Sequence, residues 1–87
     1  MRIVLSSSGV PIRLTPERMG YIRRRHPEMV DQEATILQTL TEPDLVQEGD
    51  AGTRSALKHY RKSPLTEKFC AVVCREVSEK DGFVITA

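Results

Sequence analysis

Three features of the 87-residue sequence predict an α+β domain, with two N-terminal helices packed on a four-stranded antiparallel sheet built from the C-terminal half. Thr15-Pro16-Glu17 is a helix start, with a capping hydroxyl, a proline in the first turn and an acid at the positive end of the dipole. A second apolar stripe, Val30, Ala34, Leu37 and Leu40, has helical spacing and is stopped by Glu42-Pro43. Beyond residue 44 the period shortens to alternation with brief connections, which join antiparallel strands.

Taken in order, Ile3 to Leu5 and Val10 to Leu14 are short apolar runs on either side of Ser6-Ser7-Ser8-Gly9, and either is an extra short N-terminal edge strand. The first helix runs to about Arg25, with Met19, Ile22 and His26 on one face, and Pro27 disfavours helical geometry at His26. The second helix begins at Pro27 or Asp31 and reaches Thr41. Asp44 to Glu48 is extended, and Gly49-Asp50-Ala51-Gly52 is a turn. Thr53 to Arg61 alternates, with Lys58 and Tyr60 on one side and His59 on the other. Lys68 to Val77 is apolar on both sides until Arg75, the signature of a central strand. Asp81-Gly82 reads as a tight turn and Phe83 to Thr86 as the last strand.

Length limits the chain to one domain, residues 1–87, with a modest core. No apolar run approaches the roughly 20 residues that span a bilayer, and the opening residues make a poor signal peptide. A cytoplasmic protein with no membrane partner is expected. Cys70 and Cys74, four apart on one strand, would have Cα atoms about 13 Å apart, beyond the roughly 4.4–6.8 Å of a disulfide. They read as buried thiols of a reducing compartment. There is no CxxC, no His/Cys cluster and no acidic cation loop, so neither metal nor cofactor is expected. Nothing in the sequence specifies an oligomeric state.

Charge is unevenly spread behind a net value of +1. Residues 1–26 hold six arginines against Glu17, whereas residues 27–50 hold seven acids and no Lys or Arg. Residues 51–75 are basic again, with Arg54, Lys58, Arg61, Lys62, Lys68 and Arg75 against Glu67. If the first helix lies beside the middle strands, the two basic segments merge into one patch suited to a polyanion.

Candidate chemistry is scattered rather than gathered in a motif. His26 follows Arg23-Arg24-Arg25 at a helix end, and an ordinary imidazole titrates in the range that acid–base catalysis uses. The plain alternative is a helix-terminating histidine bonded to a backbone carbonyl. Lys58 beside Tyr60 suits a phosphate plus a stacked base, or equally a half-exposed strand of amphipathic residues. Lys68 and Arg75, seven apart, face opposite sides of a regular strand. Arg75 is the better site candidate, with Glu76 beside it able to form an ion pair instead.

Four stretches, VPIRLTPERMGYIRRRHPEM, TEPDLVQEGDAG, ALKHYRKSPLTEKFCAVVCREV and DGFVITA, resemble the small phage-type branch of the barnase–EndoU–colicin–RelE-like (BECR fold) nucleases. The likeness runs from about Val10 to Ala87 through short, degenerate motifs. It implies a RelE/barnase-like sheet and a toxin-like, metal-independent endoribonuclease. Cleavage would proceed by 2′-hydroxyl transesterification, with RNA as substrate and an antitoxin protein as partner. The resemblance assigns catalysis to His26 as base, to Lys58 and Arg75 as cations on the phosphate, and to Thr86 as the terminal hydroxyl. Arg25, Tyr60, Arg61 and Lys68 would bind substrate, and Tyr60 or His59 would protonate the leaving oxygen. Related ParE-type toxins act on a protein, so a non-catalytic RNA- or protein-binding module, or an inactive member, is the alternative.

Overall fold

The computed structural model describes residues 1–63 and 66–87, without the side chains of 61–63 and 66–69. Six strands and two helices follow the order β1 (Arg2–Leu5), β2 (Pro11–Leu14), α1 (Pro16–Arg25), α2 (Glu33–Thr41), β3 (Leu45–Glu48), β4 (Thr53–Ser63), β5 (Thr66–Ser78) and β6 (Asp81–Thr86). The strands form one sheet in the order β1-β2-β6-β5-β4-β3. The α+β class holds, but the expected four antiparallel strands become six in a mixed sheet. Both N-terminal apolar runs are strands. The last strand, β6, enters between β2 and β5 and lies parallel to β2, pairing Ile12 with Gly82 and Arg13 with Phe83.

Helix α1 forms where its caps put it. The Thr15 hydroxyl accepts from the Arg18 amide at 3.1 Å, and His26 closes the helix by donating its amide to the Ile22 carbonyl at 2.7 Å. A 3-10 turn over Pro27–Met29 then separates the helices, so α2 begins only at Glu33. This later start changes the buried stripe. Ile36, Leu37, Thr39 and Leu40 face the core, while Val30 lies outside the helix, 47% exposed, and Ala34 is exposed. Thr39 is fully buried, and its hydroxyl donates to the Thr35 carbonyl at 2.8 Å, which satisfies it within the helix.

Both helices cover the same face of the sheet. Ile12 and Leu14 of β2, Val84 of β6 and the Cys70-Val72-Cys74 row of β5 join Met19, Ile22, Ile36 and Leu40 in one core cluster. α2 packs across β5, β4 and β1, and α1 lies against β6. The expected central strand is therefore β5, between β4 and β6. Its cysteines are buried and free, and burial pushes both thiols up. Among the described residues no helix is long and apolar enough to cross a membrane.

The Asp81-Gly82 turn is displaced. Glu79 and Lys80 make the turn, and Asp81-Gly82 opens β6. Gly82 is required for close packing instead: a Cβ there would lie 2.6 Å from Ile12 Cδ1 and 2.8 Å from the Arg75 carbonyl oxygen. On the β4 side of the same stretch of β5, Gly52 has φ of +77°, and a Cβ would lie 2.5 Å from the Glu76 carbonyl oxygen.

One polar cluster ties the N-terminal hairpin to the C-terminal strands. Glu76 accepts from the Ser6 hydroxyl at 2.8 Å, from the Ser8 hydroxyl at 2.6 Å and from Arg54 Nη1 at 3.1 Å. Arg54 also donates to the Ser8 hydroxyl. Burial alone would raise the Glu76 carboxyl, but the hydrogen bonds from Ser8, Ser6 and Arg54 together hold it below its usual value. A carboxyl lowered by folding stabilises the fold above its unfolded value, near 4.5, and that contribution is lost as pH falls through the folded value. Urea melts from pH 7 downward should show stability falling below about pH 5, and Glu76→Gln should be less stable at neutral pH with a flatter acid limb. Gly52→Ala should cost about 1 kcal/mol or more in the same melts, from the left-handed backbone and the clash with Glu76.

Candidate functional site

Helix α1 carries the densest exposed charge of the described residues. Arg23, Arg24 and Arg25 are exposed, and Glu17 is the one acid within the helix. Arg18, Tyr21 and Arg25 recur at i, i+3 and i+7, so they line one flank. The Arg18 guanidinium carbon lies 5.0 Å from the centroid of the Tyr21 ring, and that of Arg25 lies 5.8 Å from it. The aromatic ring thus holds two cations close together and limits their freedom. Arg23, on the opposite flank, donates through Nε to the Val30 carbonyl at 3.3 Å. Sequence reading passed over Tyr21 and Arg18, although their spacing was the available signal.

His26 stands at the end of this surface. Its side chain is 45% exposed, and Nδ1 lies 3.5 Å from the Glu28 carboxylate, itself 67% exposed. An imidazole held through Nδ1 presents Nε2 as the nitrogen open to a substrate proton. The pair is solvated, so it steers the ring more than it stabilises the fold.

The sheet-borne candidates separate. Lys58 pairs with Cys70 and Arg75 with Thr53, and those two positions of β5 are five residues apart without a register shift. Lys58 therefore lies on the helix-bearing side and Arg75 on the open side, which corrects the expectation that both address one phosphate. Lys58 is also engaged, donating through Nζ to the Glu42 carbonyl at 2.8 Å, where it caps the end of α2. The Tyr60 hydroxyl bonds Gln38 Oε1 at 2.9 Å, again anchoring α2. Thr86 pairs with Val73 across a bulge, in the row that carries Arg75. The His59 backbone donates to the Asp44 carboxylate at 2.8 Å, and its side chain belongs to the open-side row. The side chains of Arg61 and Lys68 lie outside the described residues.

Among the described residues of the middle basic segment, Arg54 is committed to Glu76 and Lys58 to the Glu42 carbonyl, while Arg75 is exposed on the open side of the sheet, away from the helices. The open side of the sheet carries a different character, with Ile3 55% and Leu5 57% exposed at one edge and Leu45 53% exposed at the other. Arg13 and Asp81 neutralise each other there, Nε to Oδ1 at 2.9 Å. Among the described residues no three His, Cys, Asp or Glu side chains stand together as a cation site.

The chemistry that this arrangement offers is a polyanion grip with an imidazole at its end. The Arg18–Tyr21–Arg25 ladder can take a phosphate backbone and stack a base, and His26 is the titratable group next to it. Comparison with protein-family models, with curated proteins and with solved structures finds no match to this chain, so its function has to be argued from these side chains.

Proposed function

We propose that the domain acts on RNA as a metal-independent endoribonuclease of BECR type, holding the phosphate backbone on the arginines of α1 and using His26 as general base. The observation that carries this reading is the placement of a half-exposed imidazole directly beyond Arg23, Arg24 and Arg25 on one helix. His26 Nε2 would take the proton of a ribose 2′-hydroxyl while Glu28 steers Nδ1. The freed oxygen would attack the adjacent phosphate and break the bond to the 5′-oxygen, which would take a proton from water, leaving a 2′,3′-cyclic end and a free 5′-hydroxyl. Arg25 and Arg24, rather than Lys58 and Arg75, are the cations placed to meet charge growing on the phosphate.

A second reading, an RNA-binding module without cleavage, is favoured by a separate observation. The residues expected to donate a proton are not at the helix end: the Tyr60 hydroxyl is bonded to Gln38, and His59 is on the other side of the sheet. Binding through α1 needs neither.

Labelled RNA and its DNA counterpart incubated with the protein in EDTA separate the two. Cleavage of RNA alone, with cyclic phosphate ends, and a loss of about 100-fold or more in His26→Ala, supports the enzyme. Binding that weakens in Arg24→Ala and Arg25→Ala and falls steeply with salt, with RNA intact, supports the module. Failure to bind RNA at low salt overturns both.

A further inference from the structure

A small cleft opens between the start of β1, the first turns of α1 and the start of α2. Met1, Arg2, Leu14, Pro16, Met19, Arg23 and Glu33 line it, around about 220 Å³. Its floor is apolar, since Leu14 is 1% and Met19 3% exposed. Its rim is charged in two senses, with the exposed Arg2 and Arg23 on one hand and the half-buried Glu33 on the other. The carboxylate of Glu33 makes no hydrogen bond or ion pair among the described residues, although two arginines line the same cleft.

Resting on the reading of α1 as an RNA surface, we infer that this cleft receives one unpaired nucleobase bearing an exocyclic amino group. Three properties of the cleft select that ligand. Its size is below the roughly 300–1,000 Å³ of clefts that hold drug-sized molecules, which suits a ring system of one or two cycles rather than a whole nucleotide. The apolar floor offers a dry surface for the flat face of a base. A carboxylate accepts only, so Glu33 rewards an amino edge and is repelled by the carbonyl edge of uracil. Arg2 and Arg23 stand where the phosphates on either side of an inserted base would run, and Arg23 is continuous with the α1 surface. The pocket therefore gives sequence preference to a grip that is otherwise blind to sequence.

Cytosine against uracil is the clean comparison, because the two differ little in size and oppositely at the C4 edge. The probes are short 2′-O-methyl oligouridines with and without one central cytidine. These lack the hydroxyl that cleavage would use. Fluorescence anisotropy at one fixed low salt concentration should show the cytidine strand binding about fivefold tighter or more. Glu33→Gln, whose amide can donate to uracil as well as accept, should bind both strands equally. Arg24→Ala should weaken both strands by the same factor. In NMR spectra the Met19 methyl signal should move with the cytidine strand and far less with the uridine strand. Equal affinity of the wild type for both strands, or a cytidine preference that survives in Glu33→Gln, overturns the pocket alone. Absence of binding to either strand overturns the RNA reading on which it rests.

Discussion

The sheet is held together across its middle by the junction of β2 with β6. Among the described residues it is the strand pairing that links the N-terminal hairpin to the meander of β3 to β6. Parallel pairing of Ile12 with Gly82 joins them, and it does so over a glycine because Ile12 and the Arg75 backbone occupy the space of a side chain. Interior packing tolerates little volume change, so this contact also fixes the register of β6 against β5. The Arg13–Asp81 pair beside it is solvated and contributes little, roughly 0–1 kcal/mol. The apolar contact beneath it matters more.

The same junction explains why Arg54 and Glu76 are committed to structure. Sewing the hairpin onto the meander brings the Ser6–Gly9 turn against β4 and β5, where polar groups leave water together. A carboxylate largely removed from solvent costs free energy unless several donors meet it, and Ser6, Ser8 and Arg54 do so. The arginine is thereby withdrawn from any role toward a ligand. Lys58 is withdrawn in the same way by the end of α2, whose last carbonyls need a donor.

Among the described residues the outer half of α1 holds the closest run of exposed cations, Arg23, Arg24 and Arg25. A helix can bury Met19 and Ile22 on one side and still present arginines around the rest of its circumference. The sheet holds this helix by its apolar stripe, and none of its arginines is paired with a carboxylate among the described residues, although Arg23 reaches the Val30 carbonyl and Arg18 and Arg25 lie over Tyr21. The result is a cationic surface in a chain whose net charge is only +1, with seven of its twelve acids between residues 27 and 50.

Local chemistry made the helices readable from the sequence. The cap at Thr15, the prolines at 16, 27 and 43 and the alternation of β5 act through neighbours in the chain, and each stands within a residue or two of its expected place. Half of the expected α2 stripe holds, with Leu37 and Leu40 buried, whereas Val30 and Ala34 are exposed because the 3-10 turn at Pro27–Met29 delays the start of the helix. The tight turn assigned to Asp81-Gly82 failed for a longer-range reason, since glycine is demanded there by a strand seventy residues away. Strand number, the parallel pair and the opposite facing of Lys58 and Arg75 likewise depend on which segment lies beside which. The α+β class, both ends of α1, the stop of α2 and the crowding of arginine before His26 were legible from neighbouring residues, because those are local properties of the chain. Only the tertiary structure decided which cations are free, because a charge is available to a ligand only when no carboxylate or helix end folded against it has already taken it.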